Sequence, residues 1–116
     1  MNKIVPPDAG TYKAVAHAAI DSALPTLIEA SENIHDNVEY FFKEFKAQRW
    51  LCDVLKGAGF EVEEGLGSLK TAFRGRIKSK KPGPTIAFLS EFDGMEPYGH
   101  SCGHNVGGPA SIGAAI

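Results

Sequence analysis

Apolar residues first recur at helical spacing. Between about Thr11 and Ser31, residues Ala16, Ala19, Ile20, Ala23, Leu24, Leu27 and Ile28 fall on one stripe of a 3.6-residue period, which predicts an amphipathic helix. Pro25 lies inside that stripe and has no backbone N–H to give, so a kink or a division into two helical pieces is expected there. A second stripe, over about Val38 to Lys56, puts Ala47, Trp50, Leu51, Val54 and Leu55 on one face and extends through Tyr40, Phe41 and Phe45. Gly57 and Gly59 end it, and Asp36 or Asn37 is placed to cap its start. Residues 1–10 carry no such pattern and read as a loose lead-in.

The period then changes to two. Phe60-Glu-Val-Glu-Glu64 alternates apolar and charged residues, as a half-exposed strand does. Thr71 to Lys78 predicts a second strand, with Phe73 and Ile77 facing one way and Arg74 and Arg76 the other. Lys80 to Pro84 is a turn rich in Lys, Pro and Gly. Pro84 to Ser90 is an almost unbroken apolar run, the pattern of an interior strand covered on both faces, expected to pair with the strand before it as a hairpin. From Gly107 the residues are small (Pro109, Ala110, Ser111, Gly113, Ala114, Ala115) and read as the first turns of a closely packed helix still running at Ile116. The order helix, helix, strand, strand, strand, helix start predicts an α/β fold, helices packed on a mixed sheet, in one domain over residues 11–116.

Composition narrows the classes. A chain of 116 residues has room for one domain with a modest core, and 43% hydrophobic with 22% charged residues is ordinary for a globular protein. A net charge of −2 supplies no basic field for nucleic acid or an anionic membrane surface, and Lys78, Lys80 and Lys81 read as a solvated turn. No apolar stretch approaches the roughly 20 residues of a membrane span, and the first ten residues lack the apolar core of a secretory signal. Two cysteines, Cys52 and Cys102, are fewer than a secreted disulfide scaffold of this size carries, so the expected compartment is the cytosol, with reduced thiols.

The chemistry concentrates in Ser90-Glu-Phe-Asp-Gly-Met-Glu-Pro-Tyr-Gly-His-Ser-Cys-Gly-His-Asn105, directly after the most apolar strand, where ligands of open α/β sheets sit. It holds three carboxylates (Glu91, Asp93, Glu96), two histidines (His100, His104) and Cys102. Cys102 and His104 are two apart, so an extended backbone points them the same way, and thiolate and imidazole both suit zinc-like ions. No second such pair lies elsewhere: His17 and His35 stand alone and read as surface or helix-end residues. Glu91 reads as a solvated strand end, Cys52, Trp50, Phe41 and Phe45 as core, and Ser111 has no base near it in sequence.

Gly99-His-Ser-Cys-Gly-His-Asn105, preceded by Ser90-Glu-Phe-Asp93 and followed by Gly113-Ala-Ala-Ile116, resembles the signature of the M20 amidohydrolases and peptidases, nearest to the aminobenzoyl-glutamate hydrolase-like branch. That branch has Ala-Glu-Tyr-Asp-Ala-Leu-Pro followed by Gly-His-Ala-Cys-Gly-His-Asn. The likeness reaches back through Ile34 to Phe60, with Glu39, Glu44 and Gly59-Phe60, and through Thr71-Ala-Phe73, so it covers the chain from about Ala14 onward. Departures are Val38 in place of proline, Gly94-Met-Glu-Pro97 in place of Ala-Leu-Pro, which adds Glu96, and Ser101 in place of alanine.

The resemblance implies metal-assisted hydrolysis of a small amide, an N-acyl amino acid or a dipeptide, at two divalent ions, zinc or manganese. It implies Cys102 and His104 as metal ligands, Asp93 as an acid that orients a ligand, and a less defined place in the motif for His100. The family's general-base glutamate, its remaining ligands and its lid domain have no counterpart in these 116 residues, so the expectation is a truncated catalytic domain with part of the metal site. Two other readings stand beside it. One is a non-catalytic α/β module whose uncovered apolar surface is closed by self-association or by a complementing chain. The other is a small metal-binding module built from His100, Cys102, His104 and a carboxylate.

Overall fold

Asp8 starts the first helix. Its carboxylate accepts from the backbone N–H of Thr11 at 2.8 Å, which satisfies a donor that the helix itself cannot. The computed structural model describes residues 8–116, and within them the elements run α1 (Ala9–Asp36), α2 (Phe45–Gly57), β1 (Glu61–Leu66), β2 (Leu69–Arg76) and α3 (His104–Ala115). The expected loose lead-in is therefore shorter than its ten residues: Ala9 and Gly10 are helical, and residues 1–7 lie outside the described part. Nor does Pro25 divide the helix. One 28-residue helix runs through it, because Pro25 and Asp21 are both exposed and water can serve the Asp21 carbonyl that the proline leaves without a donor.

The second helix starts at Phe45, seven residues later than the apolar stripe predicts. Phe41 and Phe42 have φ of 55° and 61°, a left-handed backbone that cannot continue a right-handed helix. Glu39 then reaches forward, and its Oε2 accepts from the N–H groups of Lys46 (2.8 Å) and Ala47 (3.0 Å) in the first turn of α2. Glu44 is buried at 4% exposure and accepts from the Phe42 N–H (2.8 Å) and the Thr71 hydroxyl (3.2 Å), so a buried carboxylate ties this turn to β2. The core role expected for Phe41 and Phe45 does not hold: they are 68% and 49% exposed, while Trp50 packs against the core.

The sheet is a two-stranded antiparallel hairpin, with Glu61 opposite Arg76, Glu63 opposite Arg74 and a bulge between Glu64 and Leu66. The opposed Glu63 and Arg74 form an ion pair, and the Gln48 amide donates to the carbonyls of Lys70 (3.0 Å) and Ala72 (3.3 Å), fastening the hairpin to α2. The α/β class is as expected, but the mixed three-stranded sheet is not found. The strand at 71–78 pairs backwards with β1 through a turn of two residues, the shortest hairpin connection. Residues 84–90 join no ladder, and 84–89 are exposed throughout.

Three helices and the hairpin share one core. Leu27, Ala30 and Ile34 of α1 meet Ala47, Leu51, Val54 and Leu55 of α2 and Ile112 of α3, with Phe60, Val62, Phe73 and Phe92 packed around them. Cys52, on α2, is fully buried, in keeping with the core role expected for it. No described helix is long and apolar enough to cross a membrane.

Candidate functional site

Residues 90–94 are gripped from two sides. On one side the first turns of α3 approach so closely that a Cβ on Gly108 would sit 2.7 Å from the Glu91 carbonyl oxygen, and the Ser90 hydroxyl donates to the Gly108 carbonyl at 3.2 Å. On the other, the Gly94 N–H donates to the Glu39 carbonyl at 2.9 Å, and a Cβ on Gly94 would collide with Val38 Cγ1. Only glycine permits either approach. Beyond Gly94 the chain folds over a Met95–Gly99 bridge containing a cis Glu96–Pro97 bond, and then enters α3 through Gly103 at φ 82°.

This grip sets two carboxylates against one imidazole. His104, the first residue of α3, has Nδ1 2.9 Å from Asp93 Oδ1 and Nε2 3.3 Å from Glu91 Oε2. A neutral imidazole that donates to Asp93 through Nδ1–H presents Nε2 as a lone pair, the form in which histidine binds a metal. Glu91 then stands on the metal-binding side of the ring. Glu91 is solvated as expected, its side chain 76% exposed, but no strand ends there, and it also reaches His104. The signal lies in its spacing: Glu91 and Asp93 are two apart, and an extended chain points such residues to one side.

Cys102 is exposed on the loop before α3, with its Sγ 4.0 Å from the Asp93 carbonyl oxygen, at the limit of a weak contact. His100 faces elsewhere. Its Nε2 is 3.0 Å from the Ile34 carbonyl oxygen at the end of α1, its Nδ1 is buried without a partner, and its ring lies 6.5 Å from that of His35. Burial pushes the His100 pKa down, against the opposing pull of the Ile34 hydrogen bond. Glu96 is exposed, and His35 sits at the exposed end of α1 beside Asp36. Burial drives the Cys52 thiol up to about 12.

The donor chemistry of Cys102 and His104 fits a zinc-type ion, and Asp93 lies against Nδ1, the nitrogen that a ligand bound through Nε2 would turn to a hydrogen-bond partner. The donor number falls short: among the described residues no group of three or more His, Cys, Asp or Glu side chains is arranged to hold a metal ion.

No family model matches the chain. Individual proteins do. Over 103 residues it is 31% identical to thermostable carboxypeptidase 2 of Saccharolobus solfataricus, matching 77% of this chain and 26% of that one. Over 115 residues it is 31% identical to a p-aminobenzoyl-glutamate hydrolase subunit of Escherichia coli, matching 84% of this chain and 24% of that one. N-acetyldiaminopimelate deacetylase of Halalkalibacterium halodurans is 26% identical over 96 residues, 71% of this chain and 26% of that one. This chain is a homologue of the M20-family hydrolases. It spans about a quarter of the length of the relatives it matches. By their names these M20 relatives are a carboxypeptidase, a hydrolase of an aroyl-amino acid and a deacetylase, so hydrolysis is their common chemistry.

Proposed function

We propose that this chain carries part of the metal site of an amide-hydrolysing M20 protein, with Cys102 and His104 as the ligands it contributes. The observation that carries the reading is the His104 ring, fixed through Nδ1 by Asp93 at 2.9 Å, with Nε2 facing the exposed Glu91 carboxylate at 3.3 Å. A catalytic zinc takes about three protein ligands and a water, so the remaining ligands and the general base come from other polypeptide, as the quarter-length match to the relatives suggests. The substrate is a small amide, an N-acyl amino acid or a dipeptide, which is the kind of bond the relatives' names point to. The metal is zinc or manganese, as two ions in the complete site; when bound, they polarise the scissile carbonyl and lower the pKa of water.

The residues of this chain have supporting work. Asp93 holds the Nδ1 proton of His104, and Gly94 and Gly108 keep the two close by letting α3 and residues 38–40 press on the segment between them. Two free thiols suit the cytosol.

A second reading, a module completed by another chain or by a second copy, is favoured by one observation. Ile86, Phe88 and Leu89 are 73%, 50% and 87% exposed on a segment whose backbone joins no ladder. The two readings are compatible, since a completing chain is also a source of ligands.

Cobalt(II) titration tests the proposal. The chain should develop a thiolate-to-cobalt absorption band that is absent in Cys102→Ala and weakened in His104→Ala. An identical spectrum in all three proteins would refute the assignment.

A further inference from the structure

His100, the first histidine of the motif, reaches across 66 residues of sequence to the end of α1. The Ile34 carbonyl already receives the Asn37 N–H at 3.3 Å, and His100 Nε2 approaches it at 3.0 Å on its remaining lone pair. A carbonyl oxygen only accepts, so Nε2 carries the proton and Nδ1 is bare. That fits its burial without a partner, since a bare nitrogen there leaves no N–H unsatisfied.

We infer that His100 is a positioning residue, a latch that pins the loop carrying Cys102 to the C-terminal end of α1, rather than a metal ligand. The loop has few other anchors. Between Gly94 and α3 its backbone bonds are the Met95–Gly99 contact and the short local turns Ser101–Tyr98 and Gly103–His100. All of these lie within the loop, so His100 is the side chain that joins it to α1. The benefit to the metal site rests on the proposed role of Cys102 and His104; the latch itself does not.

Two variants separate the roles. His100→Gln places an amide N–H near the position of Nε2 and can still donate to Ile34; His100→Asn places it near Nδ1 and cannot. Hydrogen–deuterium exchange should run about tenfold faster over residues 98–103 in His100→Asn and in His100→Ala, the loss expected of one such hydrogen bond. It should stay close to wild type in His100→Gln, with the β1–β2 hairpin unchanged in all. Cobalt affinity should fall in Asn and Ala and return in Gln, which a metal-ligating imidazole would not allow. Equal exchange in all four proteins overturns the latch. So does an imidazole nitrogen spectrum of the wild type with the His100 proton on Nδ1, a reading that needs no variant to fold. If the wild type binds no cobalt, the proposed metal role falls, and exchange and tautomer still decide the latch.

Discussion

His104 Nδ1 lies 2.9 Å from Asp93 Oδ1, and through that contact residue 93 orients the ring of residue 104 with Nε2 toward Glu91. The two are joined by geometry that begins far from either. Val38 and Tyr40 pack where a side chain on Gly94 would be, and Glu91 lies under Gly108, so the segment holding Asp93 has one available position beside the start of α3.

Removing that carboxylate should loosen metal binding without unfolding the chain. Asp93→Ala is expected to weaken zinc affinity about 10- to 100-fold, the usual cost of losing a ligand's hydrogen-bond partner. The Asp93 side chain is 54% exposed, so thermal stability should change little. Competition against a chromogenic zinc chelator measures the first, a melting curve the second.

Gly108→Ala should act on the fold instead. The new methyl group would meet the Glu91 carbonyl oxygen at 2.7 Å, a backbone atom that cannot swing aside as the end of a flexible side chain could. Overpacking of this kind costs about 1–3 kcal/mol, readable as a lower urea midpoint. Gly107→Ala, one residue earlier with nothing within 4 Å, is the control and should unfold close to wild type.

The two thiols should differ sharply in reactivity. Cys102 is exposed, whereas Cys52 is fully buried with its thiol pushed up to about 12, so thiolate is scarce there at neutral pH. Iodoacetamide under native conditions should label Cys102 alone, and both in denaturant. Peptide mapping by mass spectrometry tells them apart.

Stability should fall on mild acidification. Burial lowers the His100 pKa below its ordinary 6.5, so the unfolded chain binds that proton more readily than the folded one. The His100 contribution is complete above about 6.5, the unfolded histidine value, and is lost as pH drops through the lowered folded value. Urea unfolding at stepwise lower pH should show this decline, and His100→Gln, which does not titrate, should lessen it.

Local features were legible in the sequence and non-local ones were not. The stripe of α2 named Leu51, Val54 and Leu55, all buried, because a 3.6-residue period reports directly on which side meets the core. The same stripe continued falsely through Phe41, whose left-handed backbone follows from the packing of residues 38–44 against Gly94 and Thr71, contacts no periodicity records. The apolar run 84–90 predicts a covered interior strand that the structure does not form, because whether a neighbour pairs with and covers such a run depends on other chain segments. At the site, the spacing of Cys102 and His104 marked the metal-like chemistry, whereas the contact of Glu91 with His104 needed the helix start and the extended segment placed together.

Equilibrium dialysis of the purified chain against zinc tests the central claim most directly, with Cys102→Ala and His104→Ala alongside. Zinc bound more weakly than at a site with three protein ligands, and more weakly still by both variants, is the expected result. Zinc content that is the same in all three proteins, whether present or absent, would contradict the assignment of Cys102 and His104 as the metal ligands of this chain.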